Sequence, residues 1–379
     1  MMLDKNQQAF IALVRSGLWA NTESSGLRSQ RFKEPDDWEK VYQLAEQQAV
    51  LGVVLAGIEH SIVKPPQAEL LQWIGAVQIL EQQNKAMNIF IVDLIEKLRS
   101  SDIYALLVKG QGIAQCYDRP IWRMSGDVDL LLSDENYAKA EKLLTPLATS
   151  VDEEISYAKH KALTIDEWTV ELHGSLRSGL WRKVDRVLDK IQYNIFFDGN
   201  VRSWLNGVTE VFIPRADEDV VYVFSHILQH FYKEGIGLRQ ICDWCRLLWM
   251  YHSKLDLRLL ESRIHGMGVM TEWKAFAALA VDYLGMPSEA MPMYSSSSKW
   301  SKKASKIMEF VMETGNFGQN RDYSYFDKYP YLVYKTISFG MHIKDSYRYF
   351  KIFPLDSLKV MARRMVVGFF VVLRGKRRE

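Results

Sequence analysis

The spacing of apolar and polar positions changes period twice along this chain. Over residues 1 to about 100 it is helical. Between 66 and 100, Leu70, Leu71, Ile74, Val77 and Leu80, then Ile89, Val92, Leu94, Ile95 and Leu98, recur at steps of three and four. Before them a polar loop from residue 22 leads into a helix expected to start near Pro35-Asp36-Asp37, since proline and acids suit a first turn. At Asp102 the period shortens. "IYALLVKG" (103–110) is an apolar run stopped by glycine, and "DVDLLL" (127–132) is another; both predict buried strands. Between them "QGIAQCY" predicts a short helix and "DRPIWRMSG" a loop. Ser133, followed by Asp134 and Glu135, predicts an N-capped amphipathic helix over 133–147. "EEISYAKH", "KALTID" and "WTVELHG", between 153 and 174, alternate as antiparallel strands do.

From Asp217 the helical period returns in "DEDVVYVFSHILQHFYKEG", "LRQICDWCRLLWMYH" and "TEWKAFAALAVDYLG". Residues 292–303 read as a serine-rich loop, and the aromatic stretch 322–335 has no clear period. The organisation predicted is a helical region over 1–100, an α+β domain over 101–215, a helical domain over 216–290, and a mixed C-terminal region over 291–379 with a basic tail.

Composition narrows this picture only a little. The chain has 379 residues, 48% hydrophobic and 25% charged, so a sizeable core is expected. Lys+Arg is 48 against Asp+Glu 46, a net charge of +2, which argues against long nucleic acid as a partner. Three cysteines make no disulfide framework, and the N-terminus lacks a signal-peptide pattern, so a cytoplasmic protein is expected. The apolar part of 363–379 is about half the roughly 20 residues of a spanning helix. Bracketed by arginines and lysines, it reads as a last core element with a solvated tail, or as a contact to an anionic membrane surface peripheral to the inner membrane.

The chemistry concentrates around the second strand. Successive strand residues face opposite sides, so Asp127 and Asp129 share a face. Two adjacent carboxylates repel unless a proton or a cation joins them. A hard divalent cation, Mg²⁺ or Mn²⁺, held by one or two carboxylates and by substrate phosphate, satisfies that arrangement. Gly126, just before them, leaves the backbone open to close approach. Glu171, between core-facing Val170 and Leu172, is the candidate third acid, as a metal ligand or a base. "VKGQG" (108–112) supplies a strand, a glycine and a helix start, with Lys109 placed for phosphate. Arg123 offers two more donors. The spacing of a P-loop is absent.

In this order the pieces resemble the nucleotidyltransferases of the DNA polymerase β superfamily. They look most like the bacterial uncharacterised nucleotidyltransferases, whose pattern is a K-G strand end, a helix, an R-x-x-G-D-[IV]-D-L-[LV] strand and a later acid. Here these are Lys109-Gly110, the run Arg123-Met124-Ser125-Gly126-Asp127-Val128-Asp129-Leu130-Leu131, and Glu171; His226, His230, Gly237, Arg239 and Asp243 fall on the family's helical half. The resemblance covers about 100 to 250. It implies an α+β fold, a short mixed sheet with helices, flanked by helical regions. It also implies metal-dependent transfer of a nucleotidyl group from an NTP to a hydroxyl acceptor, in a setting such as surface-polysaccharide metabolism. Asp127, Asp129 and Glu171 would hold metal; Lys109, Gly110, Gln111, Arg123, Ser125, Gly126 and Arg239 would bind nucleotide. The chain departs from the wider superfamily at Gly110-Gln111-Gly112, where Gly-Ser is usual. Phosphocholine-transferase-like phosphotransfer onto a glycan is the alternative chemistry. A degenerate nucleotide-binding or interaction protein, or a membrane-surface adaptor, is the alternative without it.

Other signals read as structure. His226 and His230 are four apart, but with no H-E-x-x-H glutamate and no third ligand they point to packing or substrate contact. Arg239 and Asp243, also four apart, suit a helix ion pair. His173 and Gly174 read as turn residues. Cys242 and Cys245 fall mid-helix as buried thiols.

Overall fold

A computed structural model describes residues 3–20, 33–155, 159–233, 235–318, 320 and 331–360. The basic tail 363–379 and residues 322–330 of the aromatic stretch lie outside them. Helix α1 (Lys5–Leu18) starts at a reciprocal Asp4–Gln7 capping box, and α2 (Trp38–Gln47) starts at Asp37, whose carboxylate accepts from the Glu39 and Lys40 amides. Helix α3 (Leu51–His60) lies against α1 almost backbone to backbone. A Cβ on Gly17 would sit 1.9 Å from the Val53 carbonyl oxygen, and one on Gly57 2.0 Å from that of Leu13. Only glycine permits that crossing.

Helix α4 (Gln67–Arg99) fulfils the helical period, and Val77, Leu80, Leu94, Ile95 and Leu98 of the expected residues are buried. Trp73, Val77, Leu80, Asn84, Met87 and Ile91 are buried, whereas Leu71 and Ile89 are 61% and 65% exposed. At 33 residues, about 50 Å, the helix serves two cores. Trp73 and Val77 pack with the N-terminal helices, and Met87 to Leu98 pack beneath the sheet.

The sheet comprises β1 (Ala105–Val108), β2 (Asp127–Leu132), β3 (Ser150–Val151), β4 (His160–Ile165) and β5 (Trp168–His173), in the order β1-β2-β5-β4-β3. Only the β2–β5 pair is parallel. Helix α5 (Gly110–Ala114) links β1 towards β2, and α6 (Asp134–Leu144) begins at Ser133 as the cap chemistry requires. Among the described residues of 153–160 no strand precedes His160; Ile155 makes an isolated bridge to His160, and β4 begins there. Helix α7 (Arg182–Phe197) leads to a hairpin, β6 (Val201–Asn206) with β7 (Thr209–Pro214).

Both faces of the sheet are covered, which explains the unbroken leucines of β2. Val128, Leu130 and Leu132, with Leu107, Val170 and Leu172, join one cluster with α4, α6 and β7. Leu131, Leu106 and Val108 on the other face join the larger cluster made with the helices that follow. Those are α8 (Ala216–Lys233), α9 (Leu238–Tyr251), α10 (Leu257–Met267), α11 (Met270–Asp282), α12 (Ser298–Thr314) and α13 (Tyr331–Ile352). Helix α12 starts inside the stretch read as a serine-rich loop, because Ala304, Ile307, Met308 and Val311 give it a buried stripe. The three cysteines are buried and free, and burial pushes the thiols of Cys242 and Cys245 up. Among the described residues no helix is long and apolar enough to cross a membrane.

Candidate active site

The site forms where β2 and β5 run side by side. Their register pairs Asp129 with Glu171 and Asp127 with Thr169. Val128, Val170 and Leu172 turn to the core beneath, so Asp127, Asp129, Glu171 and His173 project together from the other face. On the far side of β5, His160 of β4 stands directly opposite His173. Oxygens of Asp127, Asp129 and Glu171 come within 4.8 Å of one another. They face a cavity of about 410 Å³, walled on the other side by Tyr222, His226 and His230 of α8 and by Arg239 of α9.

Lys109 enters from the end of β1. Its backbone (φ 57°, ψ −142°) and that of Gly110 (φ 40°) lie in the left-handed region. For a lysine this costs about 1–3 kcal/mol. Its ammonium reaches Asp129 Oδ1 at 2.6 Å. Burial alone would lower the Lys109 pKa, but Asp129, then Tyr222, Asp127 and Glu171, hold it above the ordinary lysine range. Asp127 is pushed the other way for a carboxyl: its neighbour Asp129 and its burial raise it, and Lys109 offsets part of that. Burial would raise Glu171 too, but the imidazoles of His160 and His173 and the Lys109 charge hold it well below the usual carboxylate range. His173 Nε2 lies 2.8 Å from Asp129 Oδ1 and 3.3 Å from Glu171 Oε2. Burial opposes its protonation, yet those two acids raise its pKa. Burial, Lys109 and His230 push His226 well below the ordinary histidine value, and it lies 3.1 Å from His230 across their Nε2 atoms.

Not every residue predicted from sequence faces this cavity. Gln111 turns away: its amide donates to Asn84 Oδ1 at 2.7 Å and to Met87 Sδ on α4. It is 1% exposed, and its side chain packs against α4 and does not line the cavity. Arg123 borders the cavity, but its guanidinium forks onto Asp243, Nε to Oδ1 at 2.8 Å and Nη2 to Oδ2 at 2.7 Å, and it donates to Ser125 Oγ at 2.8 Å. Tyr117 donates to Asp243 Oδ1 as well. The partner that α9's Asp243 holds is therefore Arg123, in place of the anticipated i,i+4 pairing with Arg239. Arg239 donates to the Met124 carbonyl at 3.0 Å. From the other side Asn84 donates to the Ile121 and Arg123 carbonyls. The loop that delivers Asp127 is thus tied to α4 and α9 at once. A Cβ on Gly126 would meet nothing within 4 Å, consistent with the open approach expected there.

Sequence reasoning missed His160, Tyr222 and Asn84. The first two left a signal. Counting outward from the Asp166-Glu167 turn puts residue 160 opposite 173, and Tyr222 precedes His226 by one helical turn. Asn84 left none, since its partners are backbone carbonyls some 40 positions away.

No curated protein and no solved structure matches this chain. The family described as "Uncharacterised nucleotidyltransferase" matches residues 34–285, which takes in α2 to α4 upstream of the α+β segment as well as α8 to α11 beyond it. With that match spanning well over half of the chain, and with three acids gathered on the sheet face inside it, this protein belongs to the uncharacterised nucleotidyltransferase family.

Proposed function

We propose that this chain transfers a nucleotidyl group from an NTP to a hydroxyl acceptor, with Mg²⁺ or Mn²⁺ held by Asp127, Asp129 and Glu171. The observation that carries the reading is the convergence of these acids, at a raised Asp127 carboxyl, beside a lysine ammonium inside one cavity. A cation fits this donor set: it is all oxygen, it is hard, and it relieves the repulsion that raises Asp127. When bound, the metal supplies charge neutralisation at the phosphates and a more acidic attacking oxygen.

The remaining roles fall to the chain itself. Lys109 and Arg239 face phosphate, Lys109 as a point charge and Arg239 from the helical wall. Gly110 brings backbone close to the same phosphates. Arg123 and Ser125 position the loop before Asp127 and do not touch substrate. Glu171, kept ionised by its histidine neighbours and Lys109, serves as a ligand to the metal. Surface-polysaccharide metabolism is the setting this chemistry suits, through a sugar or lipid-linked hydroxyl.

Titration calorimetry with each NTP, with and without Mg²⁺, tests the reading. Nucleotide binding is expected to require the metal and to vanish in Asp127→Asn/Asp129→Asn. Binding that needs no metal and survives the double substitution overturns it.

A further inference from the structure

One feature of the sheet face is not used by nucleotide transfer. His160 and His173, opposite each other across β4 and β5, bring their Nε2 atoms to 3.1 and 3.3 Å from the same oxygen, Glu171 Oε2, while His173 Nε2 makes its hydrogen bond to Asp129 Oδ1. The rings stand 4.7 Å apart, tilted by 32°. The His160 Nε2 atom is buried, and its contact with Glu171 falls outside hydrogen-bond geometry. The three donor atoms lie within 4.8 Å of one another. Two donors each about 2.0–2.1 Å from one cation at tetrahedral angles stand about 3.3 Å apart. The two Nε2–Oε2 distances, 3.1 and 3.3 Å, match that spacing.

We infer that His160, Glu171 and His173 form a second cation site, one for a borderline transition metal such as Zn²⁺ or Co²⁺. Two imidazoles and one carboxylate make a nitrogen-rich donor set, chemically distinct from the all-oxygen set of Asp127 and Asp129. Glu171 belongs to both, so its carboxylate bridges the two positions. Binding needs a lone pair on each Nε2. His173 releases the proton it shares with Asp129, and Asp129 keeps Lys109 as its cationic partner at 2.6 Å. His160 and Glu171 are each about one-fifth exposed, which leaves the cation a path in from solvent. The inference goes beyond the transferase reading and does not depend on turnover, because metal binding is read directly.

Chelator-stripped full-length protein titrated with Co²⁺, followed by its visible absorption, is the test. In the wild type one equivalent is expected to give the intense visible bands of a low-coordinate, nitrogen-ligated Co²⁺, which an all-oxygen site does not give. Loss even of an outer-shell partner costs 10–100-fold in metal affinity, so His160→Ala, which removes a ligand outright, is expected to weaken binding by about 100-fold or more. His160→Cys is expected to bind Co²⁺ with a new sulfur-to-cobalt charge-transfer band. Far-UV circular dichroism establishes that each variant is folded. Wild-type Co²⁺ affinity in His160→Ala, absence of the intense bands in the wild type, or a His160→Cys protein that binds Co²⁺ without the sulfur band each overturns the assignment. None of these outcomes bears on NTP binding at Asp127 and Asp129, so failure here is separable from failure of the transferase reading.

Discussion

Replacing Asp243 by asparagine removes the charge that lets Arg123 stay buried beside a second arginine, the half-buried Arg239. Arg123 and Asp243 are 6% and 4% exposed and share two hydrogen bonds of 2.8 and 2.7 Å, with a third from Tyr117. Burial lowers the Arg239 pKa, and the nearby Arg123 charge lowers it further, while Asp243 opposes both. Truncating one partner of such a pair typically costs about 3–5 kcal/mol, because the other charge is left uncompensated in a dry site. Asp243→Asn keeps the shape and some hydrogen bonding, so the charge alone is under test. It is expected to destabilise by about 3–5 kcal/mol in urea unfolding followed by tryptophan fluorescence. Arg123→Met/Asp243→Leu, which deletes both charges, is expected to lose markedly less. Because the fork holds the loop that feeds β2, folded Asp243→Asn is also expected to bind Mn²⁺ more weakly. A loss below about 1 kcal/mol, the range of an exposed pair, would refute the claim that this ion pair is the desolvated clamp of the site.

Three further outcomes follow from the same geometry. Lys109→Met removes the ammonium from Asp129, so calorimetry is expected to show weaker NTP binding but tighter binding of Mn²⁺ alone, the acids having lost their internal cation. Gln111→Ser, which restores the superfamily's Gly-Ser, is expected to give no gain in nucleotide affinity and a lower melting temperature, because it strips Asn84 Oδ1 of its donor. Glu272 on α11 accepts from Tyr232 at 2.9 Å, and burial, together with nearby Asp356, pushes its carboxyl up to about 8 from 4.5. Between those values the folded state holds a proton that the unfolded state has lost. Stability is therefore expected to fall as pH rises from 4.5 to 8, by at most about 1.4 kcal/mol per unit, and Glu272→Gln is expected to flatten that slope in thermal melts.

The strand positions and the acids were legible because alternation is a local property. "DVDLLL" and "WTVELH" each state which residues share a face, and the β2–β5 register then sets Asp129 beside Glu171. Half of the α4 stripe was legible: Val77, Leu80, Leu94, Ile95 and Leu98 are buried with Trp73, Asn84, Met87 and Ile91 on one face, whereas Leu71, Ile74 and Ile89 are apolar residues left at the surface, which a period drawn from apolar residues cannot tell apart. The roles of Arg123 and Gln111 were hidden for a related reason. Whether a polar side chain meets a ligand or another part of the protein depends on what packs beside it, here Asp243 120 positions away and Asn84 27 positions away. The serine-rich stretch failed on composition: four serines outweighed the apolar spacing that places α12.

The cavity's two walls differ in how they are built. The acids and imidazoles stand on three adjacent strands whose separation is fixed by the sheet's own hydrogen bonds, so their mutual distances cannot drift without breaking the ladder. Tyr222, His226, His230 and Arg239 stand on helices held by side-chain packing and a few side-chain hydrogen bonds, not by a ladder. Substitutions on α8 and α9 can therefore reshape what the cavity admits while the charged face opposite stays constant. Acceptor preference in this family should diverge along those two helices, and a chimera that exchanges them should change the acceptor while keeping the metal.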